Sequence, residues 1–347
     1  MTLFARSISH SSAAGLTGSL DFGPGIQVAA RSHPGAASPA PENQDNFLAI
    51  DGTGRAVFMR DQREHAVQLA GWPRGHARLA VLDGMGGHGH GREAAEAAVA
   101  GILRLPACRN AAELGEALDA LHLELLHQFA EGDDGDPAAR PPGTTLTLLE
   151  LRPGQEPLLY HAGDSRLYEI SAAHARPLTI DHVPATSFAL HGLLGEDEWW
   201  QQVHGEHRPQ ISQAFILGNA LSDPQTLSAP LYALTPGRLP PFLRRLADRR
   251  AIPVRTDATY LLASDGFWAC ARPQEWIARW PALLADAATA GAGLDALFAA
   301  FLQSPPPGLH ADNLTALALR FRPPPARGAE RNSDETALPD EAHPPPL

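Results

Sequence analysis

The feature that most constrains this chain is a short apolar run that ends in an aspartate and leads into a glycine-rich loop, AVLDGMGGHGHGRE at 80–93. The apolar residues 79–82 predict a buried strand, and the alanine-rich residues 93–103 predict a helix, so the glycines lie in a strand-to-helix turn. The G-x-G-x-x-G spacing fits a dinucleotide-binding loop, whereas an aspartate at a strand end is typical of cation binding. Because a carboxylate repels a pyrophosphate at short range, Asp83 favours the cation if further partners exist elsewhere.

A nucleotide-dependent oxidoreductase is the hypothesis that follows from the glycine spacing. It requires an acidic residue at the end of a second parallel strand about 20 residues after the loop. Residues 104–110 contain no aspartate or glutamate. The sequence therefore gives this hypothesis no second support.

The order of strand and helix patterns predicts an α+β fold. Strand patterns occupy 47–50, 78–83, 144–151, 158–163, 166–170, 260–264 and 314–321, and helix patterns occupy 93–103, 110–129, 273–280 and 281–302. Strands that are neighbours in the sequence, with helices grouped after them, favour antiparallel sheets covered by helices.

Three local features refine this prediction. Residues 163–165 separate two apolar runs and predict a tight β-hairpin. Asn110 and Glu113 can form a reciprocal cap at the start of the second helix. The last helical stretch is expected to break near Gly291 and Gly293, because glycine is a poor helix former.

The chain is expected to form one folded domain at 25–322, preceded by a flexible leader at 1–24. Residues 183–250 contain Trp199, Trp200 and many prolines without a clean period, and predict an irregular insertion or flap. Residues 323–347 are rich in proline and acidic residues, which predicts a disordered tail. The leader lacks the unbroken apolar core of a signal peptide.

Composition excludes several classes of partner. The net charge is −12 and there is no basic cluster, so we expect no nucleic-acid binding. No run approaches the roughly 18 to 20 apolar residues that span a bilayer, so we expect no membrane insertion. The two cysteines, Cys108 and Cys270, have no metal-ligand spacing, and this favours a reducing cytoplasm.

Asp83 has three counterparts elsewhere in the chain. Asp45, Asp265 and Asp312 each adjoin a predicted strand end. Each aspartate alone is explained by a turn, because Asp-Gly and Asp-Asn pairs favour turns. Four carboxylates at the ends of core strands are costly unless a positive charge neutralises them, so together they predict a cation site.

These segments resemble the metal-dependent Ser/Thr protein phosphatases of the PPM (type 2C) family. The matching segments, in the family's order, are ENQD (42–45), VLDGMGGH (81–88) with Glu93, GTT (143–145), AGDSR (162–166), LTIDH (178–182), LLASDG (261–266) and DNLT (312–315). The methionine in the glycine loop is similar to the bacterial branch of the family. The resemblance covers roughly 27–321.

The resemblance implies a four-layer α-β-β-α sandwich of two antiparallel sheets flanked by helices, with a metal centre in a cleft at one edge. It implies that Asp83 bridges two Mn²⁺ or Mg²⁺ ions and that the Gly84 carbonyl binds one of them. Asp265 and Asp312 hold the other ion, and Asp45 assists directly or through water. Hard divalent ions take oxygen donors of this kind, and a glycine lets its carbonyl approach closely.

Three positions depart from the family pattern. Ala40 stands where many members have a phosphate-binding arginine, so we expect substrate binding either to be weaker or to use another base such as Arg31. Gln44 stands where many have glutamate. The aspartate that bacterial members use for a third metal, shortly before the GTT segment, is absent from 140–142, which argues against a third ion unless Asp134 or Asp136 replaces it.

The resemblance implies a protein phosphatase that hydrolyses phosphoserine or phosphothreonine through a metal-activated water, with Asp45 and Asp83 as the central residues. Its implied partner is a phosphoprotein, opposite a Ser/Thr kinase in a signalling pathway, and we expect a cytoplasmic monomer. The alternative is an inactive pseudophosphatase that binds phosphoproteins, which the alanine at position 40 suggests. The four retained aspartates favour the enzyme.

Overall fold

The computed structural model describes residues 14–15, 20–35, 42–86, 90–131, 142–285, 287–310 and 312–321. The tail predicted at 323–347 and most of the leader predicted at 1–24 lie outside these residues. So do Ala40, which departs from the family pattern, and Asp134 and Asp136, the two candidates to replace the absent third-metal aspartate.

Two antiparallel sheets form the centre of the molecule. The strands are β1 (Ala14–Gly15), β2 (Ile26–His33), β3 (Asn46–Ile50), β4 (Arg55–Arg60), β5 (Arg63–Gln68), β6 (Ala77–Leu82), β7 (Gly84–Met85), β8 (Gly143–Thr144), β9 (Leu146–Leu151), β10 (Leu158–Ala162), β11 (Arg166–Ile170), β12 (Ala175–Pro177), β13 (Gln213–Ala214), β14 (Gly218–Asn219), β15 (Arg249–Ala251), β16 (Thr259–Ala263) and β17 (Leu314–Phe321). One sheet has the order β1-β2-β17-β16-β11-β12, and the other has the order β15-β10-β9-β6-β3-β4-β5. The pairs β7-β8 and β13-β14 form two small ribbons.

Helices cover both outer faces. They are α1 (His90–Arg104), α2 (Ala111–Glu131), α3 (Pro184–Leu190), α4 (Glu196–His204), α5 (Pro273–Ile277), α6 (Trp280–Ala285) and α7 (Ala290–Gln303), with 3₁₀ turns at Pro241–Leu246 and Asp265–Phe267. The helices α1 and α2 pack on the seven-stranded sheet, and α5 to α7 pack on the six-stranded sheet.

Side-chain alternation along the strands builds the layers, because successive residues of a strand face opposite sides of the sheet. In β3, Leu48 and Ile50 are buried beneath α1 and α2, whereas Phe47 and Ala49 are buried between the two sheets. Full burial of such a leucine or phenylalanine contributes about 1.5–3 kcal/mol. The predicted four-layer α-β-β-α sandwich is confirmed.

The predicted hairpin at 163–165 is wrong. The strand β10 pairs with β9 and β15 in one sheet, whereas β11 pairs with β12 and β16 in the other, so this turn carries the chain between sheets. Gly163 makes the crossing possible, because it has φ +115° and lies against Thr145 so closely that a Cβ would be 2.6 Å from that side chain. Two apolar runs around a short turn look alike in the sequence whether they pair or cross.

The last helical stretch consists of two pieces, α6 and α7, as predicted, but the break is not at Gly291 and Gly293, since both glycines lie inside α7. The interruption falls instead before Ala290, where the Thr289 hydroxyl accepts a hydrogen bond from the Ala292 N–H at 3.1 Å and begins α7. A Cβ at residue 293 would be 2.9 Å from Leu284, so this glycine allows α6 and α7 to pack closely.

The start of α2 and the strands β2, β4 and β5 further test the sequence. The Glu113 N–H donates to Asn110 Oδ1 at 2.9 Å, as predicted, but the Glu113 carboxylate accepts from Arg109 rather than from residue 110.

The strands β2, β4 and β5 were not predicted. The turn between β4 and β5 is formed by Asp61 and Gln62 at φ +47° and +59°, a hairpin loop without the glycine that usually signals it.

Much of the segment 183–250 is packed. Phe215 and Ile216 join the apolar cluster of the seven-stranded sheet, and β15 pairs with β10 in that sheet. The helices α3 and α4 and the 3₁₀ turn share one apolar cluster, which includes Ile180, Trp199, Leu234 and Leu243. Trp199 is the buried anchor of α4, and its indole N–H donates to the Thr186 hydroxyl at 3.0 Å. The neighbouring Trp200 is partly exposed.

Candidate metal centre

Strand register brings Asp45 and Asp83 to the same end of the seven-stranded sheet. Asp45 precedes β3 and Asp83 follows β6, and the antiparallel register pairs Asn46 with Leu82. Because the strands run in opposite directions, the residue before one and the residue after the other become neighbours.

The same geometry operates in the six-stranded sheet. Asp265 lies two residues after β16, and Asp312 lies two residues before β17, its antiparallel partner. Asp164 lies just before β11, whose first residue Arg166 pairs with Ala263 at the end of β16. Three further aspartates therefore reach the corresponding end of this sheet.

A buried polar network joins the two sheets at this end. The Ser264 hydroxyl donates to Asp45 Oδ2 at 2.7 Å and also accepts from the Thr315 N–H at 2.9 Å. The Thr315 hydroxyl lies 2.7 Å from that of Ser32, which in turn accepts from the Asn43 amide. These bonds fix the Asp45 carboxylate relative to both loops of the six-stranded sheet.

The two threonines of the GTT segment hold Asp83 by its backbone. The Asp83 N–H donates to the Thr145 hydroxyl at 2.9 Å, and the Asp83 carbonyl accepts from the Thr145 N–H at 2.8 Å and from the Thr144 hydroxyl at 3.1 Å. Both backbone groups of Asp83 are thereby satisfied by one neighbouring segment, which leaves its side chain free to face the other aspartates.

Two glycines allow the loops of the site to touch. A Cβ at Gly84 would lie 2.3 Å from the Gly91 carbonyl oxygen and 2.5 Å from the Gln44 carbonyl oxygen. A Cβ at Gly266 would lie 2.0 Å from the Asn313 carbonyl oxygen. Any larger residue would push these backbones apart, so the glycines after Asp83 and Asp265 set how closely the aspartates approach.

The carboxylates raise one another's pKa. Burial raises the pKa of Asp83 well above its usual value, and the charges of the four other aspartates raise it further. Burial and the charge of Asp265 raise the pKa of Asp164 to about 8. Burial raises the pKa of Asp45 to about 8. Asp312 lies at the exposed edge of the cluster, where desolvation and the charge of Asp265 raise its pKa to about 6. The cluster thus holds more negative charge than its surroundings neutralise.

Solved structures of bacterial Ser/Thr phosphatases share this architecture. The S. agalactiae serine/threonine phosphatase matches with a TM-score of 0.58 at 18% identity, over 86% of this chain and 100% of that one. The Mycobacterium tuberculosis serine/threonine phosphatase PstP/Ppp matches with a TM-score of 0.55 at 22% identity, over 86% and 99% of the two chains. The PstP catalytic domain in complex with two manganese ions matches with a TM-score of 0.53 at 20% identity, over the same shares.

The chain has the PPM phosphatase fold. At these identities the likeness establishes the architecture, and it confirms the resemblance read from the seven motif segments. No protein-family model and no curated protein matches the chain by sequence. The antiparallel sheets of the PPM fold also exclude the parallel sheet that a dinucleotide-binding loop would require.

The donors at this end of the PPM fold suit divalent cations in their chemistry. All five are carboxylates, their mutual repulsion calls for positive charge, and Asp265 Oδ1 is buried without a hydrogen-bond partner among the described residues. In the described part of the chain, no group of three or more histidine, cysteine, aspartate or glutamate side chains lies close enough together to hold a metal ion as the side chains stand. The structure therefore gathers the predicted residues Asp45, Asp83, Asp265 and Asp312, and their role as ligands stays a prediction.

Two residues near the aspartates escaped the sequence analysis. Asp164 was read as a turn residue, yet its charge acts on Asp83. His207, from the segment after α4, places Nε2 3.2 Å from Asp265 Oδ2. Burial alone would raise the pKa of Asp265, but the hydrogen bond and charge of His207 hold it below its usual value. No local pattern marks His207, because it reaches the site only through the packing of residues 183–250.

The two arginines considered from the sequence have structural partners. The Arg31 guanidinium donates to Asp295 of α7 at 2.8 Å, which argues against the suggestion that it replaces a phosphate-binding arginine. Arg166 donates to Asp181 and to the Val203 carbonyl, so it links β11 to the end of α4. In the described residues no helix is long and apolar enough to cross a membrane.

Proposed function

We propose that the protein is a Mn²⁺- or Mg²⁺-dependent phosphatase that hydrolyses phosphoserine or phosphothreonine in proteins. The observation that carries this proposal is that strand register brings five aspartates to one end of a PPM fold, where the charges of the other four raise the pKa of Asp83. Asp83, the Gly84 carbonyl, Asp265 and Asp312 would hold two divalent ions, and Asp45 would assist them. Such ions acidify water and neutralise phosphoryl oxygens.

The chain's own residues supply the rigidity that this chemistry needs. Thr144 and Thr145 fix the backbone of Asp83, and Ser264 fixes one oxygen of Asp45. Fixed carboxylates lose little entropy when a cation binds, which favours affinity. Hydrolysis of this kind needs no serine or cysteine nucleophile, and both cysteines are buried.

The finer expectations belong to the same proposal. We infer a phosphoprotein substrate opposite a Ser/Thr kinase in a signalling pathway, a cytoplasmic location and a monomeric state, and we expect two ions rather than three. The Ser/Thr phosphatase names of the similar structures support the substrate class. The two buried free thiols are compatible with a reducing compartment.

Hydrolysis of a phosphothreonine peptide tests the proposal. We expect turnover with added Mn²⁺, loss of turnover with chelator, and a loss of at least about 100-fold in kcat for Asp83→Asn, since metal-ion catalysis supplies several kcal/mol. The matched control is Asp257→Asn, because Asp257 is exposed and its carboxylate pairs with Arg255 alone among the residues that the structure describes.

Two outcomes would change the conclusion. Native protein that binds Mn²⁺ and phosphopeptide without turnover would favour the pseudophosphatase. Turnover that persists in Asp83→Asn and in chelator would overturn the metal-dependent mechanism altogether.

A further inference from the structure

His207 contacts the candidate metal centre from outside the motif segments. Its Nε2 lies 3.2 Å from Asp265 Oδ2, and the two side chains are only 9% and 12% exposed. Its backbone N–H donates to the Cys270 carbonyl at 3.3 Å. The segment that carries His207 is therefore attached twice to the loop that carries Asp265.

The hydrogen bond leaves the two oxygens of Asp265 in different states. His207 engages Oδ2, whereas Oδ1 is buried without an N–H donor among the described residues, and the Asp265 carboxylate also lies within hydrogen-bond reach of the Asp83 carboxylate. A carboxylate anchored through one oxygen cannot rotate freely, so its second oxygen keeps a defined place. An unpaired buried carboxylate oxygen is costly in free energy and suits a cation.

The surroundings of His207 favour a role through Asp265 rather than a role as a ligand. Its Nε2 is already used by the carboxylate, and hard ions such as Mg²⁺ prefer oxygen donors. The imidazole also lines a cavity of about 140 Å³, together with Asp164 and Val203. Removal of the imidazole would leave Asp265 Oδ2 without this hydrogen bond.

We infer that His207 is a positioning residue that orients Asp265 for divalent-cation binding, and that residues 183–250 thereby contribute to the metal centre. This inference rests on the proposed function. It assigns that segment a part in cation affinity, which neither the motif segments nor the likeness to other phosphatases assigns to it.

Calorimetric titration of the metal-free protein with Mn²⁺ tests the inference without any substrate. His207→Leu should weaken one Mn²⁺ site by about 10-fold or more, the range found when a hydrogen-bond partner of a metal ligand is removed. His207→Gln keeps an N–H donor at a similar reach and should stay within about threefold of the native Kd. The control is His174→Ala, because His174 is an exposed histidine whose recorded hydrogen bonds involve only its backbone.

Activity provides a second readout that separates positioning from folding. At saturating Mn²⁺ the kcat of His207→Leu for a phosphothreonine peptide should return to at least half the native value, because excess ion compensates for weaker binding. A variant that had merely misfolded would not be restored by added ion.

Each outcome bears on a different claim. Equal Mn²⁺ affinity in native protein and His207→Leu would overturn the inference and leave the proposed function standing. The same conclusion would follow if His207→Gln bound Mn²⁺ as weakly as His207→Leu. Native protein that binds no Mn²⁺ would overturn both.

Discussion

The buried ion pair between Arg166 and Asp181 should hold residues 183–250 against the six-stranded sheet. Arg166 Nε donates to both oxygens of Asp181 at 2.9 and 3.0 Å, and Nη2 donates to Asp181 Oδ2 at 2.7 Å and to the Val203 carbonyl at 2.8 Å. The guanidinium also lies 4.6 Å from the ring centre of Trp268. The two charged side chains are 2% and 4% exposed, so water cannot replace a lost partner.

Asp181→Asn should therefore lower the free energy of unfolding by about 3 kcal/mol, the lower end of the range for removing one partner of a buried pair. The asparagine keeps a neutral oxygen for one hydrogen bond but removes the charge that compensates the guanidinium. Burial raises the pKa of Asp181 even beside Arg166, whereas the Asp181 carboxylate raises the pKa of Arg166, and well-packed apolar residues often match the stability of a buried pair of this kind. Replacing both residues, with Arg166→Met and Asp181→Leu, should consequently cost less than Asp181→Asn alone.

Urea unfolding of the metal-free protein, followed by tryptophan fluorescence, measures these differences. Trp268 lies against Arg166 and reports directly on this region. The control Asp257→Asn removes an exposed ion pair with Arg255 and should leave the midpoint unchanged. A loss below about 1 kcal/mol in Asp181→Asn, or a double variant less stable than that single one, would refute the reasoning.

Three further predictions concern the cluster, the core and the glycine loop. In chelator, the free energy of unfolding should fall by roughly 4 kcal/mol between pH 6.5 and 8.5, because Asp45 and Asp164 have pKa values raised to about 8 and each loses about 2 kcal/mol of preference for the folded state as it deprotonates; urea titrations with saturating Mn²⁺ should show no such fall. Burial lowers the pKa of His161 to about 4, so below pH 6.5 the unfolded chain binds a proton at this site that the folded chain does not. His161→Gln should therefore gain Tm relative to the native protein as pH falls from 6.5 toward 4, measured as the difference between the two Tm values at each pH. Gly84→Ala should weaken Mn²⁺ binding at least about 10-fold by calorimetry, since its methyl group would lie 2.3 Å from a backbone oxygen, whereas Gly237→Ala, with open space around it, should bind normally.

Much of the fold followed from local patterns. The unbroken apolar run of β3 and the 3.6-residue period of α2 depend only on neighbouring residues, so both elements were predicted to within a few positions. The exposed edge strand β5 was not predicted. Such a strand needs no apolar side, so its sequence lacks the alternation of apolar and polar residues that indicates a half-buried strand. The pairing of β10 with β11 was predicted wrongly, because the arrangement of the whole sheet decides which strands pair.

The sequence by itself determined the chemistry of the site: aspartates at strand ends, glycines beside them, and threonines in the GTT segment. These residue types are encoded locally, and their roles follow from charge, size and hydrogen-bonding capacity. Only the tertiary structure decided which groups meet. The approach of His207 to Asp265, the participation of Asp164, and the pairing of Arg31 with Asp295 all join residues more than 50 positions apart or in different sheets. Such contacts depend on strand register and layer packing, which no short stretch of sequence specifies.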